Sequence, residues 1–113
     1  MFKYKKGLII KKEWLDKIFD EGKVWEMRTT RTKNTGLIHI IESGTGMVVG
    51  EVEITGWHKI SEEEKTSAID KHHVNDPSLL TKWNFAWHLK NAKRYDKPIP
   101  YSHKPGAVIW VNL

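Results

Sequence analysis

Two runs rich in alternating apolar residues, Leu37 to Ile41 and Met47 to Trp57, stand on either side of Ser43, Gly44, Thr45 and Gly46. Alternation puts every second side chain on one face of a strand, and the glycines suit a tight reversal, so the segment reads as a β-hairpin. On its second arm Val48, Val52 and Ile54 share a face, with Gly50 between them as a small residue that admits a sharp bend in a barrel wall.

The flanking chain supplies more strands and a few short helices. Gly7 to Ile10 reads as a short buried strand, and Trp14, Leu15, Ile18 and Phe19 form a helical stripe over Lys12 to Asp20, closed by Gly22. Lys23 to Arg28 is extended. Ser61 with Glu64 makes a capping box that starts a helix. Asp76 and Pro77 cap a second, short one that ends near Lys82. Trp83, Phe85, Trp87 and Leu89 alternate as a strand would, with a helical reading of the segment still open, and Ala107 to Leu113 is the last strand. Pro98 and Pro100 predict an extended segment poor in ladder bonds between them. The expected fold is α+β, a partly closed β-barrel with two or three short helices.

A length of 113 residues predicts one domain over residues 1–113, and 39% apolar with 29% charged residues is the balance of a folded chain. Having no cysteine excludes disulfides, thiolate nucleophiles and cysteine zinc sites. The one apolar run near the start is too short for a signal-peptide core or a membrane span, so the expectation is a cytoplasmic protein without membrane contact. The net charge of +5 is uneven: five lysines precede Glu13, six cations face one acid between Lys82 and Lys104, and acids gather at Glu51, Glu53 and Glu62 to Glu64. Such segregation steers a polyanion to one side of a fold, or serves only solubility. Six tryptophans are more than one small core demands, and an aromatic outside the core is a platform for bases.

Gly22, Lys23, Val24, Trp25, Glu26, Met27 and Arg28, directly after an amphipathic helix, resemble the ASCH family signature of Gly, any, Lys, any, any, Glu, any, Arg. Lys23, Glu26 and Arg28 match it, while the glycine sits one place closer to the lysine and Glu21 stands where the family has Gly. The blocks GLIIKKEWLDKIF, SGTGMVVGEVEI and FAWHLKNAKRYDKPIPYSHKPGAVIWVNL extend the likeness over nearly the whole chain. The resemblance implies a PUA-like barrel whose relatives bind or modify RNA, including an amidohydrolase for acetylcytidine and a reported ribonuclease. That amidohydrolase branch has Thr in the place of Glu26, and Asp70 is the nearest candidate by position for its acidic partner.

Two functions therefore stay open. A binding module for RNA or a modified nucleoside would receive a phosphate or carbonyl oxygen on Lys23 and Arg28, with Glu26 fixing them or accepting from a base edge. A small hydrolase would use Lys23 with Glu26 or Asp70 as proton carrier, which needs the lysine pKa lowered by about three units. Around the charged trio, the turn at Thr45 presents backbone amides to an anion or is simply a hairpin turn. Trp87, Tyr101 and His103 are the candidate walls of a base pocket, whereas core packing is expected of Trp14, Trp25 and Trp110. His72 and His73 are adjacent and point apart on a helix, so no metal site is expected, nor any cofactor.

Overall fold

In the computed structural model, which describes residues 2–113, the alternating runs pair into one six-stranded mixed sheet. Its strands are β1 (Lys6–Ile10), β2 (Trp25–Arg28), β3 (Gly36–Glu42), β4 (Met47–Lys59), β5 (Phe85–Pro100) and β6 (Trp110–Asn112). They lie in the order β2-β5-β4-β3-β1-β6. Only β1 and β3 run parallel. Between them pass helix α1 (Lys12–Asp20) and strand β2, the long crossover that a parallel pair requires.

Each local element follows from its residues. Leu15 and Ile18 of α1 are buried against the sheet, packed with Leu8, Ile40, Val52 and Trp87. Gly22, at φ +77°, then turns the chain so that the Lys23 amide donates back to the Lys17 carbonyl. The capping box forms both of its bonds: Ser61 N–H donates to Glu64 Oε1 at 2.9 Å, and Glu64 N–H to Ser61 Oγ at 3.2 Å. It opens an insert made of α2 (Glu64–Ser67), α3 (Ile69–His72) and a 3₁₀ turn over Pro77–Thr81, whose cap is Asp76 as the sequence predicts. The insert covers a second cluster of Met27, Ile60, Val74, Leu80 and Ala86.

The α+β class stands, but the barrel needs correction: β2 and β6 end the ladder on opposite edges and share no hydrogen bonds, so the sheet is open. Both edge strands are short, four and three residues, and beyond the end of β6 the gap is bridged by a side chain. Arg28 Nη2 on β2 donates to the Ile9 carbonyl on β1 at 2.9 Å.

Pro98 and Pro100 lie in an extended, ladder-poor stretch as expected: it is the end of β5, where the register with β4 passes from Arg94 straight to Ile99, which faces Val48, and Pro100, which faces Met47. Past Leu89 this strand has β4 on one side only, because β2 pairs just Phe85 to His88, and a proline lacking its N–H is tolerated on a free edge. The segregated charges, by contrast, mix. Glu51 faces Lys93 and Glu53 faces Lys90 across the β4–β5 ladder, where opposite charges attract.

Gly50 admits close packing as well as a bend. A Cβ there would lie 2.5 Å from the Lys93 carbonyl oxygen and 2.5 Å from the Phe19 ring. Backbone cannot yield as a side chain can, so Gly50→Ala is expected to lower the unfolding free energy by about 1–3 kcal/mol. Urea denaturation reads this directly; an unchanged midpoint would mean that β5 gives way.

Candidate functional site

The gap beyond the end of β6 is a cavity of about 200 Å³, and the charged trio lines it. Trp14 from α1, Met27, Val74 and Trp83 form its apolar wall. Lys11 and Ser43 stand with the trio as its polar part. Period-two alternation accounts for Glu26 and Arg28 sharing a face of β2, and the turn at Gly22 brings Lys23 beneath them.

Lys23 is only 2% exposed, and its ammonium is already engaged. Nζ donates to the Trp25 carbonyl at 2.6 Å and to the His72 carbonyl at the end of α3, and lies 3.9 Å from Glu26 Oε1. The Trp14 ring is 5.1 Å away. Burial lowers the lysine pKa to about 8; Arg28 and Lys17 push the same way, and Glu26 opposes them.

Glu26 is 4% exposed, and Arg28 holds only one of its oxygens. Nε and Nη2 of Arg28 lie 3.0 and 2.9 Å from Oε2. Oε1 accepts no hydrogen bond among the described residues, yet it is not a sealed, unsatisfied atom, so it opens onto the cavity. Arg28 Nη1 is likewise without a partner. The trio therefore leaves one acceptor and one donor free, with a net charge of +1 from two cations and one acid when Lys23 is protonated.

A second cavity, of about 500 Å³, shares Ile9, Ser43 and Val108 with the first. Tyr101 and His103 line it, with Tyr101 Oη 2.7 Å from His103 Nδ1. Trp87 lines neither cavity: it is 2% exposed, donates Nε1–H to the Thr30 carbonyl at 2.8 Å and stacks on Trp110. Its ring backs Arg28, whose guanidinium lies 5.5 Å away. The Thr45 hydroxyl is used within the turn, donating to Glu42 O and accepting from Met47 N–H. Asp70 is exposed on α3 and lines neither cavity.

Sequence reasoning did not pick out Trp14 and Trp83 as walls. Trp14 sits on the buried stripe of α1, where the helical period signals core, and Trp83 precedes β5, although alternation placed it within a strand. A histidine pair also went unseen. His58 Nδ1 lies 2.7 Å from His88 Nε2, the far nitrogen of His58 meets the Glu64 carboxylate at 3.2 Å, and Trp25 stacks on His88. Burial and the neighbouring His58 lower the His88 pKa.

Comparison with known proteins gives one family and one fold. The model of the ASCH domain family matches residues 8–99. The crystal structure of ASCH from Zymomonas mobilis superposes with a TM-score of 0.71 at 13% identity, covering 96% of this chain and 86% of that one. Two mutant forms of the Zymomonas mobilis protein superpose at 0.72 and 12% identity, covering 96% of this chain and 87% and 88% of theirs. Identity that low carries the fold alone. No curated protein matches the chain.

Proposed function

Because the chain belongs to the ASCH domain family, we propose that it is an RNA-binding module of PUA-like type whose cleft takes one unpaired base of a single-stranded or looped RNA. The observation that carries this reading is the open pair of Glu26 Oε1 and Arg28 Nη1 at an aromatic-walled cavity. Every base offers a donor beside an acceptor on its Watson–Crick edge, so such a pair anchors an edge, while Trp14 and Trp83 supply apolar surface. At about 200 Å³ the cavity is smaller than the roughly 300–1,000 Å³ usual for drug-sized ligands, which suits one base. Lys11 then faces the phosphate side of the nucleotide.

Titration of the protein with short single-stranded RNA at low and moderate salt tests this. Affinity is expected to fall as salt rises, since each phosphate neutralised releases counterions. Absence of binding, or binding with no salt slope, ends the reading.

A hydrolase acting on a modified nucleoside has one observation in its favour, the lowered pKa of Lys23. A neutral amine keeps two N–H groups, enough for the Trp25 and His72 carbonyls. Incubation with acetylcytidine and short RNAs, read by mass spectrometry, separates the two: a binder retains its ligand unchanged, and a hydrolase converts it.

A further inference from the structure

The two cavities adjoin: Ile9, Ser43 and Val108 line both, and Ser43 is the polar residue at this shared waist. The Ser43 hydroxyl has no partner among the described residues. Next to it, the amides of Gly44 and Gly46 make no backbone hydrogen bond in the turn, while Thr45 N–H and Met47 N–H are both spent. Both glycines have positive φ, 81° and 69°, and Gly44 and Gly46 line the second cavity. A hydroxyl beside free amides suits an anionic oxygen.

The halves on either side of this waist differ in chemistry. The first is small and holds the charged trio. The second has more than twice the volume, and Tyr101 and His103, edge to face with ring centres 5.7 Å apart, are its aromatic groups. It has no charged pair like Glu26 and Arg28, and its two rings offer stacking surface. A free nucleoside would occupy the first half and leave the larger one unused.

Resting on the RNA reading above, we propose that the two cavities form one groove that takes two consecutive nucleotides of a single strand. One base sits against Glu26 and Arg28, the linking phosphodiester crosses Ser43 and the amides of Gly44 and Gly46, and the next base lies on Tyr101 and His103. Order along the groove thus follows from chemistry: edge recognition, then anion, then stacking.

The test measures affinity at low salt, by calorimetry or tryptophan fluorescence, for a nucleoside, its monophosphate and a dinucleoside monophosphate. The dinucleotide is expected to bind at least about tenfold tighter than the mononucleotide, the usual worth of one stacked base. In Tyr101→Ala, and separately in His103→Ala, the ratio of the two affinities is expected to fall toward one. A dinucleotide that binds no tighter than the mononucleotide, while binding stays salt-sensitive and dependent on Arg28, overturns the two-nucleotide groove and leaves the single-base reading standing. If neither small ligand nor longer RNA binds at any salt, both readings fall together. A ratio that survives both substitutions overturns the assignment of the second half.

Discussion

Arg28→Ala is expected to weaken RNA binding by at least about 30-fold and to lower the unfolding free energy by about 3 kcal/mol. Three contacts disappear in that variant: the Nε hydrogen bond and the Nη2 ion-pair contact to Glu26 Oε2, and the link to the Ile9 carbonyl across the open edge of the sheet. Glu26 stays behind, 4% exposed, with its remaining cation 3.9 Å away. A buried charge stripped of its partner is the costly case, more costly than losing the pair altogether. Arg28→Lys separates the roles, because lysine keeps the charge and loses the planar fork. It should retain most of the salt slope and lose most of the affinity. Were Arg28→Ala to bind RNA as tightly as the native protein, with the same salt slope, the base-edge reading of the cleft would be finished.

The charged trio was legible because its cause is local. A strand turns every second residue to one side, so Glu26 and Arg28 had to share a face once Lys23 to Arg28 was read as extended. The helix stripe, the capping box and the hairpin were legible for the same reason, each resting on spacings of two to four residues. What sequence hid depends on long-range register. His58 and His88 meet across β4 and β5, whose pairing shifts at three places, so their separation of 30 residues gives no spacing to recognise. Nothing local links them, and the fold brings them to 2.7 Å.

The state of Lys23 was hidden in another way. Its partners are the carbonyls of Trp25 and His72, and backbone acceptors have no residue-type signature. The partly closed barrel failed on lengths: strands of four and three residues at the two edges leave a gap that Arg28 bridges and the cavity occupies. An open edge is therefore what gives the trio access to solvent. Charge segregation along the chain misled similarly, since β4 carries the acids and its neighbour β5 carries the matching lysines.

Between pH 8 and pH 9.5 the protein is expected to gain about 1.5 kcal/mol of stability from Lys23 alone. The group's folded pKa is about 8 against 10.5 ordinarily, so across this range the folded state has largely shed the proton that the unfolded state still holds. Stability rises with pH wherever the unfolded chain binds more protons, which fixes the sign. The phenols of Tyr4 and Tyr95, both raised by burial beside Glu51, act in the opposite direction, but only as their ordinary value near 10 is approached. Urea denaturation at pH 8.0 and 9.5 measures the gain. Lys23→Met and Lys23→Arg, neither of which titrates there, should show none of it; equal gains in native protein and variants would mean that some other group is responsible. The same titration sets the two functional readings against each other. Deprotonation removes a cation from the cleft and weakens a polyanion's grip, whereas a lysine acting as a base becomes competent only when deprotonated. Across pH 8, affinity for RNA should therefore fall in a binding module, and turnover should rise in a hydrolase.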